Sequence, residues 1–187
     1  MTGALLAIAG AIASAQGVRG SVGAPETFNA NAQVAKPGAG ALAAAITVHI
    51  ERYTPDFDRE AVATALKTGG YGKFVSALRK APEVGYVQVG DQKVPIRWAR
   101  ETKTAKGRTI VVVTDKPVFY VGGGAADAKP RTGYDVAVVQ MDVDDVGLGT
   151  GTMAAAARVR PGGEAGVQID DYADAPIKLV TITRKTS

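Results

Sequence analysis

The sequence predicts an α+β, mainly β domain: an antiparallel sheet of about eight strands, curled into a sandwich or barrel, with a helical hairpin inserted after the first strand. Three observations predict it. From Val84 onward, short runs of alternating apolar and polar residues repeat, which is the period of a strand with one buried face. Brief turns containing Gly, Asp and Pro part those runs, and they are too short for the crossovers that parallel strands require. Only Asp56 to Lys80 carries its apolar residues at helical spacing instead.

The first strand is expected over Ala45 to Tyr53, where Ile46, Val48 and Ile50 alternate with Thr47, His49 and Glu51. Thr54-Pro55-Asp56 then opens a helix. Thr54 is its expected cap, Pro55 suits the first helical position, and Asp56 and Asp58 complement the positive end of the dipole. Phe57, Ala61, Val62, Ala65 and Leu66 form one apolar stripe, and Gly69-Gly70 ends the helix. A second helix, Tyr71 to Lys80, turns Phe74, Val75 and Leu78 inward, and Pro82 blocks its continuation. Strands over Gly85 to Val89 and Lys93 to Glu101 flank a turn at Gly90-Asp91-Gln92. Arg108 to Thr114 contains Ile110-Val111-Val112-Val113, apolar on both faces, which marks a central strand. Asp115-Lys116-Pro117 turns the chain into a short extended piece, Val118 to Val121, and a loop, Gly122 to Gly133. Tyr134 to Asp142 and Leu148 to Arg160 are strands about an Asp144 to Gly147 turn. After Pro161-Gly162-Gly163, strands over Gly166 to Asp170 and Ile177 to Arg184 complete the chain.

The N-terminus reads differently. Met1 to Ala15 places Leu5, Leu6, Ile8 and Ile12 among Ala and Gly without a charge, and closes on the small-x-small tripeptide Ala13-Ser14-Ala15. That is the apolar region and cleavage site of a secretory signal peptide, although Met1-Thr2-Gly3 lacks the usual basic residue. The segment is shorter than the roughly 20 apolar residues of a transmembrane span. With no cysteine in the chain, it has no residue to carry a lipid anchor. The expected organisation is a signal peptide over 1–15, a flexible leader over 16–40 rich in Gly, Ala, Asn and Pro, and one domain over 41–187. The mature chain is then periplasmic or extracellular, with no transmembrane segment.

Composition excludes several classes of chemistry. Without cysteine there is no disulfide, no thiolate nucleophile and no zinc–thiolate site. The net charge of +4 is spread over scattered Lys and Arg with acids between them. No helix-turn-helix or aromatic-basic RNA-binding pattern is present, so nucleic acid is not an expected partner.

The candidate motifs are weak, and none yields a catalytic, cofactor-binding or metal-ligating assignment. Asp142-Val143-Asp144-Asp145-Val146-Gly147 resembles the start of a calcium loop, but Val146 and Met153 stand where that loop needs ligands. A polar hairpin tip is the expectation. Gly147-Leu148-Gly149-Thr150-Gly151 lacks the following Lys-Ser or Lys-Thr of a phosphate loop. Those glycines are expected where another backbone approaches closely. His49 is the only histidine, and Thr47 and Glu51 share its strand face; a His–Glu pair can serve as a base with its orienting carboxylate. As a lone histidine on a polar face it is expected to be a structural donor. Glu51, Asp58, Glu60, Glu83, Glu101, Asp135 and Asp170 could supply a carboxylate pair for glycoside hydrolysis, whose chemistry depends on their separation. Trp98, between Arg97 and Arg100, is expected as a core anchor in preference to a pocket wall. Tyr172, in the acidic loop Asp170 to Pro176, could fold back on the sheet.

Three pieces of the chain together resemble a group of exported bacterial proteins with no assigned activity. They are the helix pair from Asp58-Arg59-Glu60 through Gly69-Gly70 to Ala77-Leu78, the strands Gly85-Tyr86-Val87-Gln88-Val89 and Ile96-Arg97-Trp98-Ala99-Arg100, and the ending Val167-Gln168-Ile169-Asp170-Asp171-Tyr172 through Pro176-Ile177-Lys178-Leu179. The resemblance spans Ile46 to Arg184. It implies export and a single domain, and carries over no site. The expected function is a non-enzymatic binding or envelope-associated module whose partner is a protein, an envelope component or a small ligand. Two alternatives stand beside it: a hydrolase using carboxylates or the His49–Glu51 pair, and a carrier of apolar ligands should the strands close around a cavity.

Overall fold

The computed structural model describes residues 23–36, 39–118, 132–162, 167–171 and 176–185. The expected signal peptide, residues 119–131 of the expected extended piece and loop, and Tyr172 lie outside them. The strands are β1 (Glu26–Lys36), β2 (Ala39–Ile50), β3 (Gly85–Val89), β4 (Gln92–Thr104), β5 (Gly107–Thr114), β6 (Val136–Val143), β7 (Leu148–Pro161), β8 (Val167–Asp171) and β9 (Ile177–Arg184), with α1 (Asp56–Lys80) between β2 and β3. Each strand is antiparallel to its neighbours in the order β6-β5-β4-β3-β2-β1-β9-β7-β8, and a further β6–β7 pairing closes the sheet. The alternative of a sandwich is thereby decided in favour of a barrel.

The register explains why nine strands make an eight-stave barrel. The first part of β7, Leu148 to Met153, pairs with β9, and its last part, Ala157 to Pro161, pairs with β8 on the same edge. β8 and β9 are thus two lengths of one broken stave, and β9 joins β1 to complete the ring. The result is an up-and-down closure that leaves no free edge around the main ring.

β1 corrects the expected domain boundary. It lies within 16–40, the stretch read as a flexible leader, so folding starts well before residue 41. Phe28, Ala30 and Ala32 point into the barrel and are buried, while Asn29, Asn31 and Gln33 alternate outward and are exposed. Alanine and asparagine are poor strand formers, but ladders to both β2 and β9 override that preference.

The two expected helices are the arms of one element, broken where Gly70 takes φ 66° and ψ −166°. Glycine reaches that conformation without the Cβ clash that other residues meet. Thr54 does not cap this helix. Pro55 occupies the cap position with no side-chain hydrogen bond, and Thr54 Oγ1 instead accepts a bond from the Ala99 amide at 2.8 Å. Phe57, expected to face inward, is 81 % exposed. The buried stripe is Val62, Leu66, Phe74, Val75 and Leu78.

Two apolar clusters result. Inside the barrel, Phe28, Ile46, Ile50, Ile96, Ile110, Met141, Met153 and Leu179 belong to one contiguous core. Outside it, α1 lies against Val111, Val113, Val136, Val138, Ala154 and Ile169. The Ile110–Val113 run serves both clusters: Ile110 and Val112 face the interior, Val111 and Val113 the helix. No helix among the described residues is long and apolar enough to cross a membrane.

Candidate functional site

Two polar constellations stand out, one on the outer wall and one at a barrel mouth. The wall of β1, β2 and β3 lies away from the α1 cluster. Strand register sets its side chains in rows: Thr27, His49, Tyr86 and Pro95 align across β1 to β4, and Asn29, Thr47, Gln88 and Lys93 form the next row. The His49 Nδ1 lies 2.9 Å from Thr27 Oγ1, and its Nε2 lies 3.2 Å from Glu51 Oε2. The Glu51 carboxylate can only accept, so Nε2 carries the proton, and in the neutral ring Nδ1 accepts from the Thr27 hydroxyl. Tyr86 stacks on the His49 ring with centroids 5.0 Å apart, and the Lys93 ammonium sits 4.3 Å from the Tyr86 centroid. In the adjoining row Thr47 donates to Asn29 Oδ1 at 3.1 Å. The anticipated His49–Glu51 pair is therefore formed, Thr27 is the hydroxyl it engages, and Thr47 is occupied elsewhere.

The second constellation was not anticipated. Glu26, on the same inward parity as Phe28, sits where β1 begins, and its carboxylate is only 2 % exposed. Arg108 from β5 donates Nη1 to Glu26 Oε1 at 2.9 Å and Nη2 to Oε2. The Tyr53 hydroxyl donates to Oε1 at 3.0 Å, and Arg184 Nη1 from β9 lies 3.5 Å from Oε2. Arg108 Nη1 also donates to Glu101 Oε2 at 2.5 Å. Burial and the neighbouring Glu26 carboxylate push the Tyr53 hydroxyl well above the ordinary tyrosine range. Bonds to Glu26 and Glu101 raise the Arg108 guanidinium against the opposing effect of burial. Two arginines and two glutamates balance in charge, as a buried cluster must. The signal that could have found it is parity. Glu26, Glu101 and Arg108 each share the inward frame of a neighbouring core residue (Phe28, Ala99 and Ile110) at the mouth end of a strand.

The remaining candidates stay apart. Glu60 and Glu83 are exposed, and Asp58 lies in the first turn of α1. Asp135 faces Arg79 at 3.9 Å, and Asp170 pairs with Arg160. Trp98 packs into the cluster beneath α1, which makes it an anchor. Arg97 is committed to Asp115 at 2.8 Å and to the Ala81 carbonyl at 3.3 Å. Around the calcium-like segment, Asp144 Oδ1 accepts from the Val146 and Leu148 amides, the bonding of a hairpin tip, and Asp142 accepts from Thr109. Gly149 and Gly151 face the β6 backbone so closely that an added Cβ would lie 1.9 Å from the Asp142 carbonyl and 2.2 Å from that of Gln140. These glycines serve strand contact.

No protein-family model matches this chain, and no curated protein or solved structure does either.

Proposed function

We propose that the chain is an exported, non-catalytic binding module whose contact surface is the polar outer wall of β1, β2 and β3. The observation that carries this reading is the division of the wall. α1 occupies the side formed by β4 to β8 with apolar contacts, Trp98 of β4 among them, whereas Thr27, His49, Tyr86, Gln88 and Lys93 form an organised polar surface on the other. Export rests on the leader-like Met1 to Ala15 and on the resemblance to exported bacterial proteins. The interlocked inward side chains favour a filled barrel over one built around an apolar guest, since eight strands enclose a space that side chains can fill.

The test compares the full chain with a His49→Ala/Tyr86→Ala/Lys93→Ala variant for binding to peptidoglycan fragments, envelope proteins and membrane vesicles. Binding by the native chain and its loss in the variant support the reading. Binding that the three substitutions leave unchanged overturns the assignment of the wall. N-terminal sequencing of the protein recovered from cells tests export, with cleavage after Ala15 expected.

A second reading, a hydrolase, draws on the Thr27–His49–Glu51 chain, whose order of hydroxyl, imidazole and carboxylate is that of an activated nucleophile. Hydrolysis of a p-nitrophenyl ester that disappears in both Thr27→Ala and His49→Ala would favour it over the binding reading.

A further inference from the structure

The mouth cluster places three hydrogen bonds and one further ion pair around a single carboxylate, and those partners come from three separate parts of the chain. Arg108 presents two nitrogens in the forked geometry that suits a carboxylate. Tyr53, beyond the end of β2, presents its hydroxyl, and Arg184 closes from β9. Glu101 is the one other carboxylate in the cluster, and it accepts from Arg108 Nη1.

Arg108 and Tyr53 are also held by contacts other than Glu26, and Arg184 is pinned through its backbone. Arg108 is fixed by Glu101, and its guanidinium lies 5.8 Å from the Phe28 ring centroid. The Arg184 amide donates to the Gly147 carbonyl at 3.0 Å. Tyr53 packs against the barrel core. The Arg108 and Tyr53 donors are therefore preorganised, and preorganisation is what makes a polar site bind rather than merely tolerate its occupant. Removing Glu26 would leave Arg108, 13 % exposed, and the more open Arg184 with only Glu101 as a counter-charge, an excess of one positive charge at the mouth that favours an anion. The covering chain leaves little room for a larger group. A Cβ added at Gly23 would lie 2.8 Å from Glu26 Oε1 and 3.2 Å from Arg108 Nη1.

We propose that this barrel mouth is a carboxylate-binding site, that its ligand class is small carboxylates, and that Glu26 is the tethered occupant that keeps it filled. Tethering gives Glu26 a high effective concentration at the site, so external carboxylates do not displace it from the native chain.

The experiment vacates the site and offers it formate. Thermal unfolding of Glu26→Ala is followed in sodium formate and in sodium chloride at matched ionic strength. Glu26→Ala is expected to melt below the native chain, and formate is expected to raise its Tm well beyond chloride, in proportion to the logarithm of concentration once the site fills. The native chain and Glu26→Gln, whose amide still fills the space, should respond to the two salts alike. Adding Arg108→Met to Glu26→Ala should abolish the formate response. Equal responses of Glu26→Ala to formate and chloride, or a formate-specific response that persists without Arg108, would overturn the proposal. Should Glu26→Ala fail to fold in buffer, the same comparison is made by refolding from denaturant. Recovery of strand signal in formate and not in chloride supports the site, and failure in both overturns it.

Discussion

The barrel has two outer walls built on opposite principles. Under α1, outward positions carry Val111, Val113, Val136, Val138 and Ala154, and they are covered by Leu66, Phe74 and Leu78. On β1 to β3 the outward positions carry Thr27, His49 and Tyr86, linked by a side-chain bond and a ring contact, Asn29 and Thr47, bonded to each other, and Gln88, which donates to the Gly90 carbonyl. Both walls surround the same interior of Val, Ile and Met. The difference teaches where stability and where recognition reside: the covered wall is a second core, and the open wall is surface whose groups are organised without being buried. Substitutions should therefore separate the walls, one set acting on folding and the other on binding.

The largest effect is expected on the covered wall. Phe74 is 6 % exposed within the helix-side cluster. Phe74→Ala should cost about 3–5 kcal/mol through lost burial and the cavity left behind. Chemical denaturation measures it, and a loss below about 1 kcal/mol would mean that α1 is only loosely attached to the barrel.

Alkaline titration probes the mouth, which belongs to neither wall. The Tyr53 hydroxyl is held above its ordinary range, so the folded state keeps its proton where the unfolded chain releases it. Stability from this group is complete below about pH 10, the unfolded tyrosine value, and declines as pH rises above it. The decline approaches about 1.4 kcal/mol per pH unit for one tyrosine. Denaturant midpoints between roughly pH 9 and 11.5 should show a slope that Tyr53→Phe reduces without abolishing, because burial also holds the Tyr71 hydroxyl above its ordinary range. An unchanged slope would place the alkaline sensitivity elsewhere.

How much of this was legible in the sequence depended on range and on residue type. Strands with Val and Ile on one parity, such as Ile46, Val48 and Ile50, declared themselves, and so did the dual-faced Ile110–Val113 run. The same parity was present in Phe28, Ala30 and Ala32, but alanine buries too little apolar surface to distinguish a strand from a leader. His49 and Glu51 could be paired on paper because they are neighbours on one strand face. Glu26 and Arg108 could not, being 82 residues apart in sequence and joined only when the barrel closes. Helix capping failed locally because tertiary contact claimed Thr54 for the Ala99 amide.

Thr181 offers a smaller test near the open wall. It takes φ 52°, a left-handed conformation that a β-branched residue adopts at a cost, and it sits at the bulge where β9 shifts register against Asn29 and Asn31. Asparagine tolerates this backbone far better. Thr181→Asn is expected to stabilise by about 1 kcal/mol, or roughly 2–4 °C in Tm. A fall in Tm would show that the threonine side chain gives back more than its backbone costs.

The smallest stability effect, and the sharpest contrast, belongs to His49. Its ring bonds to Thr27 and Glu51 and stacks on Tyr86, yet Glu51 is 63 % exposed and the row of Thr27, His49 and Tyr86 is only half-buried. Water can replace each bond lost, so His49→Ala should shift stability by only about 0.5 kcal/mol. A surface built for recognition shows a different signature: small change in folding, large change in binding to whatever the wall contacts. His49→Ala and Phe74→Ala therefore form a pair. Measured together by denaturation and by binding to envelope fractions, they should move opposite observables. If His49→Ala unfolds the barrel as Phe74→Ala does, the open wall is a structural element like its counterpart, and its polar rows owe their order to stability alone.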